Sequence, residues 1–385
     1  MQLTLRHQLT QFAHLLQTSL FPLVEEELGP LSDTSKGLIA TLSLIPLARF
    51  VPSSRGWRGR PQKDRLVIAR AFVAKAVYNF ADTRDLLDRL HHDEQLRSIC
   101  GWKHRRQIPH ESTFSRAFAE FAEMQLPQFV HEALIRETQQ DRVVGHIARD
   151  ATDIRVREAI ADKPRTPSTP PKSKTRARSK PRKPRQPRKA GDPPTRLERQ
   201  RTMKPDEMLK ELPCFCSISA KKASDGHNQY WHGYKLHLDV ADGQIPICAV
   251  LTAAHVHDSQ VAIPLSVISA QRVTSLYEVM DAAYDAQEIM EHVRAQGRVP
   301  IIDPKNLGGP RKSVIVRNFP RQLSPAEEDR YRERTMVERV NGRLKDEFGA
   351  RNVRVRGGAK VMAHLMFGLL ALTADQLLRL IAETG

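Results

Sequence analysis

The sequence predicts an α/β fold: a mixed sheet covered by helices, preceded by a helical region spanning residues 1–140. Three observations carry this. Apolar residues recur at helical spacing through Leu66–Phe80. Two alternating runs, Tyr234–Val240 and Ile245–Leu251, flank Asp242-Gly243, a strong hairpin signal. Beyond them, short apolar runs alternate with helical segments.

Taken in order, Thr83–Leu90 extends the helical pattern through Leu86, Leu87 and Leu90. Ser112 or Thr113 is placed to cap a helix carrying Phe114, Phe118 and Phe121. Two basic groups precede helices, Arg55, Arg58, Arg60, Lys63 and Arg65, then Lys103, Arg105 and Arg106. They read equally as phosphate contacts or as solvated faces. Val143–Ile147 is a short strand running into Asp150, and Ser275–Met280 is another, ending at Asp281. Val299–Ile302 is a further strand. Near the C-terminus, Leu365, Leu369, Leu372, Leu377 and Leu380 form the stripe of a packed helix and a candidate dimer contact. The apolar run Leu365–Ala374 is too short to span a bilayer, which needs about 20 residues.

Charge is concentrated. The chain has 61 Lys+Arg against 44 Asp+Glu, a net of +17, which points to a polyanion partner. The window Lys163–Lys204 holds 16 of those cations, two acids and nine of the 25 prolines. Like charges repel and proline breaks helices, so the window reads as an extended, solvated insertion. It is either a phosphate-binding arm or a spacer, and without it the folded parts are close to neutral. The N-terminus lacks a signal-peptide pattern. Four cysteines in 385 residues suggest a reducing compartment and no disulfide framework.

The segment Tyr331–Lys345 is the most informative. As one helix it places Tyr331, Arg334, Glu338 and Lys345 within a stripe about 60° wide. Met336, Val337, Val340 and Leu344 fall on the opposite side. One face then packs while the other presents a phenol, a carboxylate and two cations. Asp150 and Asp281, at strand ends, can converge with Glu338 at one sheet edge. Such hard oxygen ligands suit Mg²⁺ or Mn²⁺. Asp153 is the rival for Asp150, and Asp285 reads as structural. His255-x-His257 reads as a polar turn rather than a zinc half-site, and Cys214-x-Cys216 lacks the usual zinc spacing. Trp231 and Tyr234 beside Lys235 read as core packing rather than as a base-stacking platform.

Tyr331-x2-Arg334-x3-Glu338-x6-Lys345 resembles the Tyr-Arg-Glu-Lys signature of bacterial insertion-sequence DDE transposases. Asp150-Ala-Thr is similar to that family's first Asp box and Asp281-x-x-Tyr284-Asp285 to its second, with Ala151 and Ala283 where glycine is commoner. His232–His237 and His255–Ser259 resemble the strand segments between them. The stretch from Gly59-Arg60-Pro61 to Ile108–Thr113 is similar to the helical domain that precedes such cores. The resemblance runs over residues 55–380, with the basic insertion as its main departure. It implies an RNase H-like, retroviral-integrase-like catalytic domain over 141–385, interrupted at 163–204, behind a helical DNA-binding domain over 1–140. It implies that Asp150, Asp281 and Glu338 are catalytic and hold Mg²⁺ or Mn²⁺, as two ions. Tyr331, Arg334 and Lys345 would touch DNA phosphates and terminal nucleotides, with Lys235 as a further DNA contact. The reaction implied is cleavage at the element's ends and transfer of the 3′-OH into target DNA. The alternative is a retired transposase that binds DNA without cutting it. Terminal inverted repeats and target DNA are the implied partners, with the chain as a homodimer on DNA. The implied setting is the bacterial cytoplasm, at the nucleoid when bound to DNA, with no membrane partner.

Overall fold

The computed structural model describes residues 5–51, 62–139, 142–160, 192–222, 227–303 and 323–382. Arg55, Arg58, Gly59-Arg60-Pro61 and the basic window from Lys163 to Ala190 lie outside the described residues.

The first part of the chain is helical, with the apolar helix Arg65–Val77 at its centre. Asp64 caps that helix through the amides of Leu66 and Val67. The helix Thr83–His92 starts in a capping box between Asp82 and Asp85 and buries Leu86 and Leu90. The helix Glu111–Glu123 follows, but neither Ser112 nor Thr113 caps it: the cap is His110, two residues before Ser112, whose side chain accepts the Ser112 amide. Its phenylalanines meet Phe72 in an aromatic cluster, with Phe118 at 4.9 Å and Phe114 at 5.9 Å between ring centroids.

Six strands form one sheet: β1 (Val143–Arg155), β2 (Ser217–Lys222), β3 (Asn228–Ala241), β4 (Ile245–Ala253), β5 (Thr274–Met280) and β6 (Val299–Ile302). The order runs β2-β3-β1-β5-β6, with β4 also paired to β3. The strands β1, β3 and β4 pair antiparallel, whereas β5 joins β1 in parallel and β6 joins β5 in parallel. The helices Ser259–Ala270 and Gln287–Ala295 supply the crossovers that parallel pairing needs. The hairpin falls at Asp242-Gly243, with positive φ at Gly243 and Gln244. Gly233 has φ +146°, and a Cβ there would collide with the Ile154 carbonyl, so β3 lies against β1 only with glycine at this point.

The strand carrying Asp150 is longer than its apolar run. It continues to Arg155 because β3 pairs with it as far as Arg155↔Gly233. Asp150 therefore lies within a strand, not at its end. Pairing of β1 with β5 stops at Arg149↔Met280, one residue before Asp150 and Asp281. The end of β5 brings the two acids side by side.

The C-terminal helix Gly358–Ala382 is longer than Leu365–Ala374. Its 23-residue segment Gly358–Leu380 is long and apolar enough to cross a membrane by composition, and that segment is largely buried within this fold. It packs into both cores. Phe367, Leu370, Ala374 and Leu377 join the N-terminal helices, and Leu365, Leu369 and Leu372 join the sheet cluster. Leu365, Leu369, Leu372 and Leu377 are buried inside the chain and not available as a dimer contact, whereas Leu380 is only partly buried. The described end of the basic window is also folded. Thr195 caps a short helix, Arg196–Gln200, in which Leu197 is buried against the cluster holding Met280 and Tyr284.

Candidate active site

Asp150 lies in β1, Asp281 directly follows the neighbouring strand β5, and Glu338 comes from a helix packed against the sheet. Tyr331–Lys345 is not one uniform helix. An α-helix over Pro325–Tyr331 passes through a 3₁₀ turn at Arg332–Arg334 into a second α-helix, Thr335–Asp346. The packed face is as the spacing predicts, with Met336, Val337, Val340 and Leu344 buried against the sheet.

Arg334 stands among the three acids. Its Nη1 donates to Glu338 Oε1 at 2.6 Å, while Nη2 is 3.9 Å from Asp150 Oδ1 and 3.8 Å from Asp281 Oδ2. Asp281 also accepts the Ala283 amide at 2.9 Å, which fixes the turn after β5. The Asn341 amide donates to Asp150 Oδ2 at 3.3 Å. Burial pushes the Asp150 carboxyl up to about 6; the Ala151 amide and Arg334 oppose this, and Asp281 and Asp258 add to it. Burial would lower Arg334, but Asp150, Tyr331, Glu338 and Asp281 outweigh it and raise the guanidinium. A buried acid crowded by other acids gains from a nearby cation, and Arg334 supplies one.

The remaining predicted residues border this centre. Tyr331 is half-buried, and burial raises its phenol despite Arg334. Lys345 donates to Asp153 at 2.8 Å. Burial would raise Asp153, but Lys345 and Arg155 hold it below its ordinary value, so its charge is already taken up in ion pairs. Lys235 reaches the Val256 carbonyl and Asp258 Oδ1, both at 2.8 Å. His255 and His257 bond to Ser217 and Ser259, and the four cysteines are free thiols. Trp231 and Tyr234 are buried, and the Tyr234 hydroxyl donates to Glu158 at 3.0 Å.

Three features were not read from the spacing. Asn341 sits one turn after Glu338, and that i+3 position was the available signal. Asp258 lies close enough to raise both Asp150 and the buried Tyr284 phenol. Beneath the site, fully buried Arg149 bonds Asp239 at 2.7 and 2.8 Å and Glu278 at 3.0 Å, and Arg298 pairs with Glu278. Ser266 and Ser269 donate to the same two acids. This network ties β1, β3 and β5 together directly behind Asp150.

Among the described residues, no three His, Cys, Asp or Glu side chains close tightly enough to hold an ion by themselves, because a guanidinium stands between the carboxylates. The donor set nonetheless fits a hard divalent cation. It consists of three carboxylates on a rigid sheet and helix, held together by a positive group that another cation can replace.

Sequence comparison gives the family. The Transposase DDE domain model matches residues 141–374, and the Transposase domain (DUF772) model matches residues 35–120. The chain belongs to the DDE transposase family. No curated protein and no solved structure matches it.

Proposed function

We propose that this transposase cuts DNA at the ends of its element and joins the freed 3′-OH to target DNA, using an RNase H-like core. The observation that carries the reading is the convergence of Asp150, Asp281 and Glu338 on Arg334. The strand order supports it, since four antiparallel strands are followed by two that join in parallel, and both aspartates lie where β5 ends.

Asp150, Asp281 and Glu338 would hold Mg²⁺ or Mn²⁺, as two ions. Bound there, such ions make a water or a 3′-OH nucleophilic and stabilise the leaving oxygen. The protein's own contribution is positional. Asn341 fixes one oxygen of Asp150, and the Ala283 amide fixes Asp281. The buried Arg149 network keeps β1 and β5 in register behind them. Arg334 neutralises the acids before ions enter and is then free to meet a phosphate oxygen. Tyr331 borders the same opening. Lys235 and Lys345 are held at the rim by Asp258 and Asp153, where a phosphate oxygen can exchange for a carboxylate. Action on two ends together implies a homodimer, whose interface lies elsewhere than the buried C-terminal leucines.

The test uses purified protein, labelled DNA carrying both flanks of its gene, and Mg²⁺ or Mn²⁺. Discrete cuts at the flanks and joined products are expected with wild type and absent with Glu338→Gln. Full cutting by that variant, or cutting without divalent ion, overturns the reading. Specific binding with no cutting under either ion would point to a retired transposase.

A further inference from the structure

A cavity of about 540 Å³ opens between the N-terminal helices and the segment that follows the signature helix. One wall comes from Lys75, Arg84, Glu111 and Ser115, and the other from Arg354, Arg356 and Lys360. Buried phenylalanines from both sides close its floor. It therefore joins the regions matched by the two transposase models.

Its charge is one-sided. The two acids on the wall are already engaged. Asp82 accepts the amides of Arg84 and Asp85 at 2.9 and 3.1 Å, and Glu111 takes Arg84 Nε at 3.2 Å. Arg354, Arg356 and Lys360 are exposed, and none has an ion-pair partner among the described residues. Arg354, Val355 and Arg356 all line the cavity, so two exposed arginines fall on one stretch of its wall. Lys75, more than nine-tenths buried, places an ammonium on the inner wall, with the Phe80 carbonyl at 2.9 Å as its partner. Three exposed cations without ion-pair partners among the described residues, on a concave site whose lining cations outnumber its two acids, favour a polyanion.

We infer that this cavity is a second DNA contact, which takes the phosphodiester backbone of a bound strand between the helical region and the end of the catalytic domain. The inference rests on the DNA-cutting reading for its ligand but not on the acids for its test. Backbone phosphates gripped here would register the DNA against both parts of the chain at once. Arg354, Arg356 and Lys360 would each displace counterions from the duplex.

The experiment measures binding of the full-length protein to a labelled duplex carrying the gene's flanks, without divalent ion, across a salt series. Arg354→Gln/Arg356→Gln/Lys360→Gln should lower the slope of log affinity against log salt by about 2 to 3, since each phosphate contact contributes about 0.9. Affinity near 0.15 M salt should drop at least tenfold. Ser115→Trp, which obstructs the mouth without changing charge, should weaken binding severalfold. Arg354→Lys/Arg356→Lys, which keeps all three charges, should retain the slope. An unchanged slope in the glutamine variant, or full affinity in Ser115→Trp, overturns the inference. So does thermal stabilisation by inorganic pyrophosphate that the triple variant loses while its DNA slope stays intact, because the site would then take a free phosphate compound. Cleavage is not needed for any arm, so cutting by Glu338→Gln would sink the catalytic reading and leave this result to stand by itself.

Discussion

Arg334 and Glu338 lie one helical turn apart and share a 2.6 Å hydrogen bond, and the same guanidinium faces Asp150 and Asp281 from the next strands. A single side chain thus balances three acids that would otherwise repel one another. It occupies the position that a divalent cation would compete for.

Removing that side chain should change ion binding in a direction that activity alone does not reveal. Arg334→Ala leaves the carboxylates without their counter-ion, so Mn²⁺ affinity should rise by about tenfold, a shift of about 1.4 kcal/mol. DNA cutting should fall in the same variant, because the phosphate contact proposed for Arg334 would go with the guanidinium. Titration calorimetry with Mn²⁺ and no DNA reads the first effect. Weaker Mn²⁺ binding in Arg334→Ala would show that the arginine organises the ion site instead of competing for it.

The buried network behind the site should be structural and costly to break. Arg149 is fully buried with Asp239 and Glu278, and the two acids outweigh the burial that would otherwise lower its pKa. Arg149→Met leaves two buried carboxylates short of a partner and should destabilise the protein by about 4 kcal/mol. Urea unfolding measures this. A loss under about 1 kcal/mol would mean that water or Arg298 takes over the charge.

Much of this architecture was legible because local chemistry and tertiary contacts agree. Asp242-Gly243 set the hairpin, β6 spans the same residues as its apolar run, and the packed face of the signature helix followed from spacing alone. The misses have identifiable causes. β2 reads SISAKK, with little apolar alternation, and exists because β3 extends far enough to pair with it. Asp150 lay beyond the apolar run, so its strand looked shorter than β3 makes it. Arg149 and Glu278 are charged residues in strand interiors, and only the three-dimensional pairing reveals that they satisfy one another. Arg334 shared a stripe with Glu338 in the helical spacing and was expected to meet DNA phosphates. That it also faces Asp150 and Asp281 follows from the pairing of β1 with β5, which no local spacing encodes.

Acid should destabilise the fold through its buried histidines. Burial holds His131 down to about 3, and Arg272 adds to this, so the folded state keeps the ring neutral while the unfolded chain titrates near 6.5. The folded value is depressed, so this part of the stability is complete above pH 6.5 and is lost as pH falls from there towards 3. The loss amounts to about 1 kcal/mol by pH 5.5 for each such histidine, and His237 is held down to about 3 in the same way. Melting temperatures of wild type should therefore drop by several degrees between pH 7 and 5.5. His131→Gln, which can still bond to Thr373, should show a smaller drop. Parallel curves for the two proteins would exclude His131 as a source.

The basic window makes a prediction of its own, and the fold sets its limits. Thr195–Gln200 caps and buries part of the chain, so a deletion reaching Lys204 would remove Leu197 from the core and confuse binding with folding. Deleting Lys163–Lys189 instead removes twelve cations and no acids. If this stretch binds DNA backbone, the log–log salt slope should fall by several units, because each phosphate it neutralises adds about 0.9 to that slope. The melting temperature should stay within about 2 °C of wild type, because no described core residue is touched. A slope equal to that of the full chain would identify the stretch as a spacer. The phosphate contacts would then have to come from the rim lysines and from the cavity flanked by Arg354 and Arg356.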